Sequence, residues 1–464
     1  MLRLDKDVDA LTLMDRLEGL ERIIPSAVIQ EVTTRAGIVR RYCKRLPPVL
    51  LMHFVLSLGL FCRDGYCQVF RWLRRFTPGG VPNRSTLCEA RKRLGVKAMF
   101  LLADRVVHLL AIPVEGEAST EGEASRQTSG AFYQGMRVMA LDGFTVDIAD
   151  SPENDRVFGR PGADRGRAAF PQARVVALCE AGTHVMYKWR IKPFTCAEQP
   201  MADSLLRFLT PEMLLLWDCN FYSYERVKAV IATGASLLMR VSKWPIFQPI
   251  RHLSDGSFLA RIYRTPQDRK YDHEGIIVRV IRYTFDDPNR PGHRITHRVV
   301  STLTDEVLHP AKELVELYHE RWEEELGIDE IKTHQRERSV LRSQTPAGVV
   351  QEIGSLLINH FVVRKLMFEA ARQQQLPPCR ISFTAAVKIL RCRIPECPAN
   401  QLRRHQWYEN LVMEIAEQRL PIRRNRLNPR VIKRKYSKWK VKRQRHQAHP
   451  QPTKTFLDSI VLLD

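Results

Sequence analysis

The chain has no Cys-x2-Cys pair, and none of its ten cysteines stands near histidines at zinc-finger spacing. No zinc motif or disulfide framework is therefore legible in the order of residues. Cysteines scattered at 43, 62, 67, 88, 179, 196, 219, 379, 392 and 397 read as reduced, buried small hydrophobes of a cytosolic protein. Long apolar runs are also missing. The longest, VLLMHFVLSLGLFC at 49–62, carries His53 and Ser57 and is too short to span a bilayer. No basic start leads into a signal-peptide core, so the expectation is a cytoplasmic chain without export or a membrane anchor. Acid is in short supply. Against 73 Lys and Arg stand 51 Asp and Glu, leaving a net charge of +22 and a pI near 9.8. Such an excess favours a polyanionic partner, nucleic acid ahead of a membrane surface.

A chain of 464 residues can build two or three domains, and 44% hydrophobic with 27% charged residues is ordinary for a globular protein. Residues 1–112 are helix-patterned, through SAVIQEVTTR, the apolar run and YCQVFRWLRRF, which breaks at TPGG. In VPNRSTLCEARKRLG, Ser85 or Thr86 is positioned to cap a helix that presents Arg91, Lys92 and Arg93 before Gly95 ends it. Two helices about a Gly-containing turn suggest a helix-turn-helix, with those three cations as DNA contacts. The stretch PVEGEASTEGEASRQTSG repeats GEAS and is too polar to bury a core, so 113–131 reads as a flexible linker.

Beyond the linker, short strands alternate with helices. The reading is a strand RVMALD ending at Asp142, a hairpin of RVVALCEAG and THVMYKWRIK across Ala181-Gly182, and a helix near EQPMADSLLRFL. A strand MLLLWD then ends at Asp218, followed by a helix SYERVKAVIATG and a strand SLLMRVS. The pattern predicts an α/β core over 132–370, with two strands finishing on aspartates where such folds place their chemistry. From about 243 to 305 it becomes strand-like without a helical period, which predicts a β-rich insertion. A helix at about 310–334 comes next, then a largely apolar helix, and a C-terminal region over 371–464. Within that region, 421–450 holds twelve Lys or Arg and no acid, a block expected to act as a basic arm on nucleic acid.

On the helix at 310–334, Tyr318, Arg321, Glu325 and Lys332 stand at i, i+3, i+7 and i+14, a spacing that puts all four on one stripe. A Glu–Lys ladder of that kind can be plain solvated surface. Likewise, Asp142 before Gly143 can be a turn residue, and Asp218 can cap the helix that follows. Taken together, three carboxylates at one point need cations between them, and hard divalent ions such as Mg²⁺ take oxygen ligands of this kind. Arg321 and Lys332 then fit as phosphate contacts.

Tyr-x2-Arg-x3-Glu-x6-Lys is the signature of a family that this sequence resembles, the DDE transposases of the bacterial insertion-sequence-four type. ALDGFTVDIADSPEN at 140–154 resembles the block of the first aspartate and LLLWDCNFYSYE at 214–225 that of the second, while IIPSAVIQEV through FRWLRRF resembles the helical domain preceding the core. Phe144 and Cys219-Asn220 depart from the usual pattern beside the two aspartates without removing a carboxylate.

The resemblance implies a ribonuclease H-like catalytic core with the β-rich insertion between Asp218 and Glu325, preceded by an all-helical N-terminal domain. It implies Asp142, Asp218 and Glu325 as catalytic metal ligands for two Mg²⁺ ions, with Mn²⁺ as the alternative. It further implies a homodimer acting on double-stranded DNA, cutting at terminal inverted repeats and joining 3′ hydroxyls to target DNA. Tyr318, Arg321, Trp322 and Lys332 are the expected DNA-binding set there, Trp322 by stacking on a base near the cut. The competing expectation is a catalytically inactive regulator that binds the same DNA.

Overall fold

The computed structural model describes residues 16–38, 46–73, 80–113, 128, 130–163, 166–290, 292–421 and 452–463. The expected linker at 113–131 and the basic arm at 421–450 lie almost entirely outside the described residues. The chain divides into two compact units. The first comprises 1–135, 141–205 and 323–420, and the second 136–140, 206–322 and 421–464.

The first unit is organised around the helix Pro346–Gln373, of which almost every residue up to Ala371 is buried. Thr345 caps it by accepting from the Gly348 amide, and Pro346 sits where its missing N–H costs nothing. The apolar run forms the helix Pro48–Leu60, buried from Leu50 to Leu60, and packs against that central helix. Gly59 permits the contact, because an added Cβ would lie 2.7 Å from the Ser355 backbone. Ser355 donates to Val55 and Leu56 carbonyls at 2.9 and 3.0 Å, which satisfies its hydroxyl at a small-residue helix crossing. No helix among the described residues is long and apolar enough to cross a membrane. The other expected N-terminal helices occupy Ser26–Arg35, Tyr66–Leu73 and Arg84–Leu94, followed by Lys97–Val106. The third is capped by Asn83, whose side chain accepts from the Thr86 amide, rather than by Ser85 or Thr86.

The expected hairpin is present as the antiparallel strands Gln172–Glu180 and Val185–Pro193. Strand Met136–Ile148 differs from expectation: it does not stop at Asp142 but runs on, with Phe144, Val146 and Ile148 alternately buried. Gly143 lies within the strand rather than in a turn, and a Cβ there would stand 3.0 Å from the Glu198 side chain.

In the second unit, Met213–Trp217 and Ser236–Arg240 are parallel neighbours, Trp217 beside Met239, joined through the helix Tyr224–Ala232. MLLLW is buried at all five positions, as a central parallel strand requires. The expected β-rich segment contributes Pro249–His252, Phe258–Ile262, Ile276–Phe285 and His297–Ser301, consecutive antiparallel neighbours that extend the sheet from Ser236–Arg240. It also holds one short helix, Pro266–Lys270, closed by a Thr265–Asp268 capping box. The end of the chain returns to this unit as the strand Ile460–Leu462, paired with Tyr283–Phe285.

Candidate active site

Asp218 follows the last residue of a fully buried strand at its C-terminal end, a position where parallel α/β sheets gather functional groups. It does not cap the next helix. Ser223 does, accepting from the Arg226 amide, and Asp218 makes no side-chain cap to the single turn Cys219–Phe221. Because Trp217 and Met239 are in register, the residues that follow them, Asp218 and Arg240, emerge side by side, with Arg240 Nε 4.0 Å from Asp218 Oδ1. Cys219 belongs to the same group, its sulfur 3.7 Å from an Arg240 nitrogen and 3.8 Å from Asp218 Oδ2.

Tyr318 and Arg321 join this group within the second unit. The Tyr318 phenol is buried, and burial pushes its pKa up to about 12; Arg321, which donates a hydrogen bond to it, and Arg240 pull down, while Asp218 adds to the rise. Beside them lies a cavity of about 540 Å³, lined among others by Arg240, Arg290, His297, Tyr318, His319 and Arg321, with Phe285 and Phe456 supplying apolar walls. His319 packs 4.5 Å from the Phe456 ring centre, and its Nε2 is 3.3 Å from the Tyr283 hydroxyl. Burial, and then the neighbouring His297 and the guanidinium groups of Arg290, Arg240 and Arg321, lower its pKa to about 4, so the ring is neutral near pH 7. The cavity charge is thus carried by guanidinium groups.

The expected single helix at 310–334 is three pieces. Ala311–His319 ends in a turn, with Arg321 N bonded to Tyr318 O at 3.2 Å; Trp322–Asp329 follows; and Glu330–Gln335 is a π-helical turn. The straight stripe is therefore broken after Tyr318 and re-phased before Lys332, because an i+5 turn rotates side chains away from the 3.6-residue period. Tyr318 and Arg321 lie in the second unit; Glu325 and Lys332, both half-buried, and Asp142 lie in the first. One Asp142 oxygen accepts from the Gly143 amide at 2.7 Å. The Trp322 side chain lies outside those described.

Of the three expected N-terminal cations, Arg91 is corrected. It is 5% exposed and spends its guanidinium internally, on Gln351 at 3.2 Å, Ser343 at 3.2 Å and the Gly348 carbonyl at 3.0 Å, with the Tyr66 hydroxyl also in contact. It is a packing residue, not a DNA contact. Lys92 and Arg93 are exposed, and Lys92 pairs with Glu89 at 2.8 Å. Arg240 was not foreseen. The signal for it was its place at the end of SLLMR, the strand after the one that ends at Asp218.

Comparison with known proteins gives consistent results. Residues 14–103 match the family described as insertion element 4 transposase N-terminal, and residues 133–362 match the transposase DDE domain. Transposase InsG for insertion sequence element IS4, from Escherichia coli (strain K12), is 26% identical over 454 residues, 95% of this chain and 98% of that relative. Among solved structures, the piggyBac transposase synaptic complex with hairpin DNA is 11% identical with a TM-score of 0.41, over 87% of this chain and 86% of that one. A likeness that loose carries no argument about this chain.

Proposed function

This chain belongs to the DDE transposases of the insertion-element-4 type, and from that premise we propose that it binds the terminal inverted repeats of its element, cuts there and joins the freed 3′ hydroxyls to target DNA. The observation that carries the reading is the grouping of Asp218 with Arg240, Tyr318 and Arg321 at the end of a parallel strand. A carboxylate beside the Arg240 guanidinium, with Arg321 held nearby by Tyr318, suits a cation and the phosphate it would accompany.

The proposed metal ligands are Asp142, Asp218 and Glu325. Their donor set fits the group: three carboxylates offer only hard oxygen atoms, and Arg240 Nε, 4.0 Å from Asp218, is too distant to be a hydrogen-bonded substitute for an ion. Two Mg²⁺ ions, or Mn²⁺ in their place, would supply activation of the attacking water or 3′ hydroxyl and stabilisation of the leaving oxygen. The protein's own groups position the DNA. Tyr318 keeps its proton at physiological pH, so its neutral hydroxyl accepts the hydrogen bond from the Arg321 guanidinium instead of serving as a base. Arg321 and Arg240 then meet the scissile phosphate, and Lys332 a neighbouring one. Trp322 is proposed to stack on a base exposed at the cut. Lys92 and Arg93 contribute to end binding from the helical region before residue 112. The α/β core is proposed to be ribonuclease H-like, acting as a homodimer on two DNA ends.

The test is incubation of the full chain with Mg²⁺ and linear DNA bearing the element's ends. Free 3′ hydroxyl ends and joined target products support the reading. End binding without either product would instead identify a regulator that does not cut.

A further inference from the structure

In the first unit, the hairpin turn Ala181–His184 closes on a histidine at φ 57, a left-handed conformation uncommon for residues with a side chain. The imidazole is 1% exposed. Its Nε2 lies 2.7 Å from Glu323 Oε2 and 3.5 Å from Cys379 Sγ, and its Nδ1 lies 3.2 Å from Glu330 Oε1. One ligand atom from each of His184, Glu323 and Cys379 can be chosen so that all three lie within 4.8 Å of one another. The approach of the helix is built in: at Gly327, one turn after Glu323, an added Cβ would come within 3.1 Å of Met186 and 3.3 Å of the His184 Cβ. Glu330 is fixed in its turn. Arg364 Nε donates to its Oε2 at 2.9 Å, a second Arg364 nitrogen contacts Oε1, and His360 Nε2 is 3.0 Å from Oε2.

These are not the acids proposed above to carry catalysis. Positions two apart on a helix differ by about 200° around its axis, so Glu323 and Glu325 leave opposite sides of Trp322–Asp329.

We propose that His184 Nε2, Glu323 and Cys379 Sγ form a site for a thiophilic divalent ion of the zinc class, separate from the catalytic acids, which ties the start of the Glu325-bearing helix to the 181–184 turn. With Zn–N about 2.1 Å and Zn–S about 2.3 Å, a tetrahedral site has an N···S edge of about 3.6 Å, and the observed His184–Cys379 separation is 3.5 Å. Glu323 has to withdraw from Nε2 by about 0.7 Å to reach its own ligand position, and its side chain, 30% exposed, has room to do so. The fourth position falls to water. On binding, the Cys379 thiol releases its proton to solvent and the His184 proton resides on Nδ1, donated to Glu330 Oε1, which requires the Arg364 nitrogen that lies against Nδ1 to turn wholly onto Glu330. That is the carboxylate–histidine–metal arrangement that orients a metal-bound imidazole. A thiolate in the set selects against Mg²⁺.

The test uses the full chain, stripped with a chelator and titrated with Zn²⁺ alone and with Co²⁺ alone. The site predicts one tightly held Zn²⁺ per chain by mass spectrometry and, with Co²⁺, a thiolate charge-transfer band in the near ultraviolet. Cys379→Ser should abolish the band, and Glu323→Gln should weaken Zn²⁺ binding about tenfold or more. Glu325→Gln should leave both unchanged, which separates this site from the proposed catalytic centre. Absence of the band in a wild-type chain with native circular dichroism, or its survival in Cys379→Ser, would overturn the assignment and leave a Cys–His hydrogen bond without an ion.

Discussion

Acidification should loosen the second unit through His319. Its pKa falls from the ordinary 6.5 to about 4 in the folded chain, first because the ring is buried and then because cations surround it. Between those two values the unfolded chain binds the proton that the folded chain refuses, so stability rises with pH there and is lost as pH falls. From pH 7 to pH 5 the loss is about 2 kcal/mol, or roughly thirtyfold in an opening equilibrium. The assay is hydrogen exchange read by mass spectrometry over Ile276–Phe285 and Ala311–His319 at both pH values, corrected for intrinsic exchange. His319→Gln retains an acceptor for the Tyr283 hydroxyl and should remove most of the pH effect. Comparing the two proteins isolates this ring, because His297 and His309, also held low chiefly by burial, contribute in both. Equal acid loosening in wild type and variant would refute the reasoning.

Further expectations concern packing and charge. Arg91→Ala should cost about 2–4 kcal/mol in urea unfolding, because Gln351 and Ser343 lose a charged partner in the interior, whereas Lys92→Ala should change stability by less than about 0.5 kcal/mol. Arg279, 0% exposed and bound to Asp255, Ser257 and the His309 carbonyl, should cost about 3–5 kcal/mol when replaced by Met, by leaving a carboxylate behind; thermal melts would show it. Replacing six Lys or Arg within 422–451 by Gln should flatten the salt dependence of DNA binding by up to about five in log–log slope, with little change in preference for element ends. That design spares the strand Ile460–Leu462, which a truncation at 421 would remove from its sheet.

How much of this was legible in the sequence depended on range. MLLLWD announced a strand and the place of Asp218 at its end, since a run of apolar residues is a local feature. Asp142-Gly143 misled, because the pair reads as a turn while the strand runs through it to Ile148. The 3.6-residue period joined 310–334 into one helix; it is blind to a turn at Glu320-Arg321 and to a π-helical re-phasing whose cause is tertiary. Arg91 counted as surface charge until Gln351, 260 residues on, was seen to hold it. The His184–Glu330–Arg364 network was invisible for the same reason, with partners 146 and 180 residues from the histidine.

The three acids are expected to make the chemistry and not the affinity. Asp142→Asn, Asp218→Asn and Glu325→Gln preserve side-chain volume while removing the charge that a divalent ion requires. Each should be assayed for single-turnover cleavage of element-end DNA in Mg²⁺, alongside end binding measured at fixed salt. The expected result is loss of cleavage by at least about a thousandfold in all three, with binding held within a few fold. Cleavage near the wild-type rate by any one of them would contradict the site.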